Sequence, residues 1–233
     1  MTKIELLSFI NKYSLGGNVE SVAWELKNDT IATNFVSSDK TLKGTVTMNN
    51  AKINSSEQEI GIYTTSQLVR MLSILDNDVN VTVTDTSMQV NDKYTDFSFV
   101  LADLDVIPKS PKLKMTPTFT STIKITEDFI NKFVKSYGAL PENDFFTIEC
   151  DAISKQLTFG YSNTNSNRIS FNIDIDIEDV EPIHFSSGLM REILVANKGT
   201  HGTLEISPVG LGRVKFNTAA TTAEYYLVSK QID

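Results

Sequence analysis

Apolar residues along this chain follow two rhythms. At residues 3–14, 65–75, 126–138 and 187–198 they recur every three to four positions, the spacing of an amphipathic helix. Between these windows lie short runs rich in Val, Ile, Thr and aromatics, broken by Asn, Asp and Ser. Such runs predict strands at 19–26, 30–38, 43–49, 59–63, 79–85, 87–92 and 94–102, and again at 121–125, 145–151, 156–162, 168–176, 202–207, 211–217 and 223–230. Helices this short are not stable alone, so each is expected to lie against a sheet. The helix at 126–138 has Thr126 as its expected N-cap and Gly138 as its expected C-cap. Gly16 and Gly17 are expected to end the first helix.

The pattern repeats. Phe9-Ile10-Asn11-Lys12 returns as Phe129-Ile130-Asn131-Lys132, 120 positions later, and Leu68-Val69-Arg70 is echoed by Leu189-Met190-Arg191, 121 positions later. Each half reads helix, about three strands, helix, about three strands. Only the strand at 121–125 lacks a clear counterpart in the first half, unless the first few residues supply it. Residues 103–120 separate the halves and hold three of the six prolines, Pro108, Pro111 and Pro117. Proline restricts its own φ and the residue before it, which suits an extended connector and not a central strand. The expected organisation is domain 1 at 1–104, a connector at 105–119 and domain 2 at 120–233, in the α+β class with two short helices on antiparallel sheet in each domain.

A chain of 233 residues can bury a core of this size. No apolar run approaches the roughly 18 residues needed to cross a bilayer, and Glu5 and Asn11 interrupt the short apolar patch at the N-terminus, so no secretory leader is expected. The single cysteine, Cys150, has no internal disulfide partner, which suits a reducing compartment. The sequons at Asn28, Asn54 and Asn80 are then chance matches.

Signals for an enzyme are weak. Asp174, Asp176 and Glu178 alternate along one strand face, as a solvated face also does. His184 and His201 lack liganding partners at recognised spacing, and Cys150 has no evident histidine beside it. The glycines at 16–17 and 199–202 lack the Lys-Ser/Thr of a phosphate loop. No catalytic group, metal site or cofactor is expected.

Charge placement carries more. The net charge is −8, which by itself disfavours nucleic acid. Yet the helix windows 3–14, 65–75, 127–138 and 187–198 hold seven basic residues (Lys3, Lys12, Arg70, Lys132, Lys135, Arg191, Lys198) against four acidic ones, while the rest of the chain holds 14 basic and 25 acidic. Each helix is read with an apolar stripe on one side and a cation opposite: Lys12 opposite Ile4, Leu6, Leu7, Phe9, Ile10 and Tyr13; Arg70 opposite Leu68, Met71, Leu72 and Leu75; Lys132 and Lys135 opposite Phe129, Ile130, Phe133, Val134 and Tyr137; Arg191 opposite Leu189, Met190, Ile193 and Leu194. If symmetry closes several such segments into a ring, weak basic strips can surround a duplex and meet its phosphates without reading sequence. The acidic remainder then faces outward.

The segments 60–83 (IGIYTTSQLVRMLSILDNDVNVTV) and 212–231 (GRVKFNTAATTAEYYLVSKQ), with the proline connector, resemble the DNA sliding clamps, most of all the polymerase processivity clamps of T4-like bacteriophages. The resemblance implies a closed ring that encircles double-stranded DNA, is loaded by an ATP-driven clamp loader and tethers the replicative polymerase. It also implies a role in phage late transcription and a location in the cytoplasm of the infected bacterial host. Two domains per chain permit more than one ring size; the resemblance selects a homotrimer. It places Lys12, Arg70, Lys132, Lys135 and Arg191 in the DNA channel, with Lys3 and Lys198 at helix ends. It places the subunit seam on edge strands at 94–102 and 167–175, through Phe97, Phe99, Ile169 and Phe171, residues that equally suit the core of their own domain. A pocket for client peptides is implied near Val106, Ile107, Leu113, Met115, Tyr226 and Val228. The rival class is a non-enzymatic β-rich phage structural or scaffold protein.

Overall fold

The computed structural model describes residues 1–111, 117–150, 155–160, 166–176 and 180–231. Two compact units divide the chain, Met1–Pro111 with Thr218–Ala223, and Lys112–Asn217 with Glu224–Asp233.

The first unit begins with helix α1 (Lys3–Ser14). Thr2 and Glu5 form a reciprocal cap: Glu5 N–H donates to Thr2 Oγ1 (3.2 Å) and Thr2 N–H to the Glu5 carboxylate (2.8 Å). The helix ends where Leu15 (φ 48°), Gly16 (φ 68°) and Gly17 (φ 94°) turn left-handed, a conformation glycine adopts without steric cost. Strands β1 (Val22–Lys27), β2 (Thr30–Val36), β3 (Leu42–Met48), the two-residue β4 (Ile53–Asn54) and β5 (Gln58–Ile62) follow. After helix α2 (Thr65–Ser73) come β6 (Asn80–Val83), β7 (Ser87–Asn91) and β8 (Asp96–Val100). One sheet runs β5-β1-β2-β3 and the other β4-β6-β7-β8.

The second unit repeats this order: β9 (Ser121–Ile125), α3 (Glu127–Ala139), β10 (Phe145–Cys150), β11 (Lys155–Phe159), β12 (Ile169–Asn172), β13 (Val180–Ser186), α4 (Ser187–Ala196), β14 (Gly202–Ser207), β15 (Leu211–Asn217) and β16 (Thr221–Val228). Its sheets run β13-β10-β11-β12 and β9-β14-β15-β16, the arrangement of the first unit except that β9, antiparallel to β14, takes the place beside β14 that the short, parallel β4 takes beside β6. The missing counterpart of β9 is reduced to one bridge, Thr2 to Asp78, just ahead of α1.

Strand alternation sets the core. Trp24, Leu26, Ile31, Phe35, Leu42 and Val46 are buried on one face of the first unit's β5-β1-β2-β3 sheet. Phe9 and Tyr13 of α1 meet Trp24 edge-on, with centroids at 5.4 and 6.2 Å, the geometry that ring quadrupoles favour. In the second unit Phe133 of α3 stands edge-on to Phe146 (5.0 Å) and Phe159 (4.9 Å). Helix α4 is tied to the sheet through Asn197, whose Nδ2 contacts the buried hydroxyl of Tyr225 at 3.0 Å.

Three local expectations are corrected. Gly138 lies inside the last turn of α3; the helix runs on to Ala139 and Leu140 caps it. Strand β13 was not expected, because Pro182 breaks its pattern. It is the end strand of its sheet, where a missing N–H costs no ladder bond on the open side. In α1, Ile4 is 66% exposed and Lys12 is buried. The stripe is narrower than expected: at about 100° per residue, Leu6, Phe9, Ile10 and Tyr13 point inward, Ile4, Ser8 and Asn11 form the opposite ridge, and Lys12 falls on the flank.

Candidate nucleic-acid interface

The seven cations do not behave alike. Lys132 and Lys135 are exposed on α3, one turn apart, because Phe129, Ile130 and Phe133 take the inner side. Lys132 pairs with Asp128 at 2.8 Å, and both side chains are more than half exposed. A surface pair of this kind is worth about 0–1 kcal/mol, so the ammonium can exchange its carboxylate for a phosphate at little cost. Arg191 is half-buried on α4, with its guanidinium 5.8 Å from the Tyr137 ring centroid of α3 and in contact with the Glu192 carboxylate. Lys198 is exposed in the turn after α4. The three basic elements of the second unit thus share a helix pair that packs side by side.

In the first unit, Arg70 is exposed on α2. The Lys3 ammonium donates to the carbonyl of Leu75, just past the end of α2. Lys12 is 8% exposed, and its ammonium lies 3.4 Å from Ser8 Oγ. Burial pushes the pKa of Lys12 down.

Strands β8 and β12 each end a four-stranded sheet, and among the described residues no strand pairs with their outer sides. Phe97, Ile169 and Phe171 are half-buried there, while Phe99 is buried in its own unit. Phe171 packs edge-on against Phe129 of α3 at 6.0 Å. Val100, beside Phe99, is 77% exposed.

Of the residues assigned to a client pocket, Leu113 and Met115 lie outside the described residues. Ile107 is buried against the backbone near Gly61, and Val106 is exposed. Tyr226 lies on the polar face of β16, in hydrogen-bonding contact with Arg213, and Val228 is half-exposed. Arg213 and Lys215 both pair with Glu205, at 2.5 and 2.9 Å, so that face is ionic. Burial alone would raise the Glu205 pKa; the two cations outweigh it and hold the carboxyl below its usual range. Sequence reasoning missed a cavity of about 470 Å³ within the second unit, where Pro182 and His184 of β13, Ile206 of β14, the turn residues Pro208 and Val209, and Lys230 converge. His184 Nδ1 is 2.8 Å from Thr147 Oγ1 across the strand pair, and burial lowers its pKa. Only the broken pattern at Pro182 hinted at this site.

The enzyme candidates do not assemble. Asp174 pairs with Lys124 at 3.1 Å on open surface, Cys150 is buried, and Glu178 lies outside the described residues. Among the described residues no group of three or more His, Cys, Asp and Glu side chains is placed to hold a metal.

No protein-family profile matches the sequence, and no curated protein sequence matches it. Solved structures match over the full length. The clamp of A. fulgidus, PCNA, in a structure with the C-terminal region of FEN-1 bound, superposes with a TM-score of 0.79 at 16% identity, covering 100% of this chain and 98% of that one. PCNA from Entamoeba histolytica gives 0.76 at 16% identity, covering 99% and 96%. A chain of the PCNA2–PCNA3 complex from Sulfolobus tokodaii gives 0.76 at 10% identity, covering 99% and 98%. The chain therefore has the α+β sliding-clamp fold of two helix-on-sheet domains. The likeness is to archaeal and eukaryotic PCNA, which overturns the expected kinship with the clamps of T4-like phages.

Proposed function

With the PCNA-type clamp fold as the premise, we propose that this chain is the protomer of a DNA polymerase processivity factor. Several copies, three in the reading we favour, close into a ring around double-stranded DNA. An ATP-driven loader opens and closes the ring, and the ring then tethers the replicative polymerase without sequence preference. The observation that carries this reading is the set of exposed cations, Arg70, Lys132, Lys135 and Lys198, with the half-buried Arg191, on or just after short helices whose other side is buried. Long, mobile side chains of this kind meet phosphates as point charges and allow the duplex to slide.

The seam between protomers is assigned to the two open sheet edges, β8 with Phe97 and β12 with Ile169 and Phe171. Pairing them would satisfy backbone groups that otherwise invite aggregation. Client proteins are taken to dock short peptides; in the A. fulgidus structure the C-terminal region of FEN-1 is bound to PCNA. In this chain the cavity bordered by Pro182, His184, Pro208 and Lys230 suits such a segment, close in sequence to Val228 at the end of β16.

Light scattering gives the mass of the assembly. Retention on closed circular DNA, loss from the same DNA once linearised, and processive synthesis only with loader and ATP are the expected results. A monomer, or equal retention on both DNA forms, refutes the ring.

A further inference from the structure

We infer that the duplex rests on one half of each protomer: its phosphates meet α3, α4 and the turn after α4, while the helix layer of the first unit stands by as a neutral-to-acidic wall. This rests on the encirclement reading above and names which part of that surface touches DNA.

The two units share a fold but not a charge pattern. The outer ridge of α1 is Ile4, Ser8 and Asn11, without a charge. Lys12 lies on the flank and is 8% exposed, so its ammonium is sheltered from a phosphate. Lys3 is held by the Leu75 carbonyl. The turn after α2 reads Asp76-Asn77-Asp78, all exposed. Asp92 reaches into that turn and accepts the Asp76 N–H at 2.5 Å, which places a further carboxylate beside it. Glu5 of α1 adds another acid, with Lys52 nearby to offset it. Arg70 remains the exposed cation of α2.

The equivalent turn after α4 reads Asn197-Lys198-Gly199. Here the asparagine is buried and committed to Ile193 and Tyr225, and the lysine is exposed. Lys132 and Lys135 are exposed on α3, and Arg191 lies on the neighbouring helix. Of the acids on these two helices, Asp128 and Glu192 each already engage a cation in pairs that are at least partly open to solvent, and Glu127 is exposed in the first turn of α3, where the helix dipole favours an acid. At physiological salt the screening length is about 8 Å. A phosphate therefore senses the nearest helix turn and not the net −8 of the chain. On that scale the second unit attracts through Lys132, Lys135, Arg191 and Lys198, and the first through Arg70, with the acids of the 76–78 turn near the end of the same helix.

The test is binding of a short fluorescein-labelled duplex to the assembled protein across a salt series. Removing one cation that neutralises a phosphate lowers the slope of log K against log salt by about 0.9. Removing Lys132, Lys135, Arg191 and Lys198 together, as alanines and Arg191→Met, is expected to abolish most of the slope. Arg70→Ala with Lys12→Met is expected to leave it within about one unit of wild type. Asp76→Lys with Asp78→Lys, on exposed sites, is expected to steepen the slope and tighten binding. If the first-unit set costs as much slope as the second-unit set, the asymmetry is wrong while encirclement stands. If the wild type shows no salt-dependent binding, and no retention on circular DNA, both readings fall together.

Discussion

Helix α3 carries two adjacent residues that should separate stability from DNA binding. Phe133 is fully buried, edge-on to Phe146 and Phe159 at 5.0 and 4.9 Å, and stacked on Phe129 at 6.1 Å. Phe→Ala in a core costs roughly 3–5 kcal/mol through the forfeited transfer energy and the cavity left behind. Each aromatic pair adds about 0.5–1.5 kcal/mol beyond area. Three pairs place Phe133→Ala near the upper end, about 4–5 kcal/mol, a large part of the 5–15 kcal/mol a domain typically has. Phe133→Leu keeps most of the volume and should lose well under half of that. Lys132→Ala, one residue away, removes a solvated ion pair and should change stability by about 0.5 kcal/mol or less. Urea unfolding followed by circular dichroism measures all three. A loss below about 1.5 kcal/mol for Phe133→Ala, with the denaturant slope unchanged, would mean that the ring cluster is not closely packed, and the basis for the rigid display of Lys132 and Lys135 would go with it.

Other outcomes follow from single interactions. Glu205 has a folded pKa below its ordinary 4.5, so the unfolded chain binds the proton first and stability falls as pH drops from about 4.5 through the folded value. Glu205→Gln should be less stable at neutral pH and show a shallower acid decline; an unchanged acid limb in unfolding titrations refutes the role of Arg213 and Lys215. His184 also has a lowered pKa, but as a base: burial makes the folded state bind its proton less readily than the unfolded chain, so stability declines as pH falls from about 6.5 through the folded value. His184→Gln should remove that part of the decline, read by thermal unfolding at stepped pH. Thr126 caps α3 by accepting the Phe129 N–H at 3.2 Å. Thr126→Ala should cost about 1 kcal/mol, and Thr126→Ser should restore most of it in the same unfolding assay.

Periodicity in the sequence was enough to locate all four helices, because each apolar stripe needs a sheet to cover it, and enough to see the duplication through Phe9–Lys12 and Phe129–Lys132. It also marked the cations, since a charged residue off the apolar stripe must be near solvent or suffer a desolvation penalty. What it could not resolve is how far round the helix each stripe extends. Lys12 and Lys132 occupy the same place in a repeated word, yet one is buried and the other open. That difference depends on which neighbours crowd the flank of the helix, and those come from distant parts of the chain. The expected likeness to phage clamps was misjudged for a related reason: at 10–16% identity the likeness to archaeal and eukaryotic PCNA lies in the three-dimensional fold and not in any short run of residues. The cavity around His184 was hidden as well, because its walls come from β9, β13, β14 and the residues after β16, and tertiary packing alone brings them to one place.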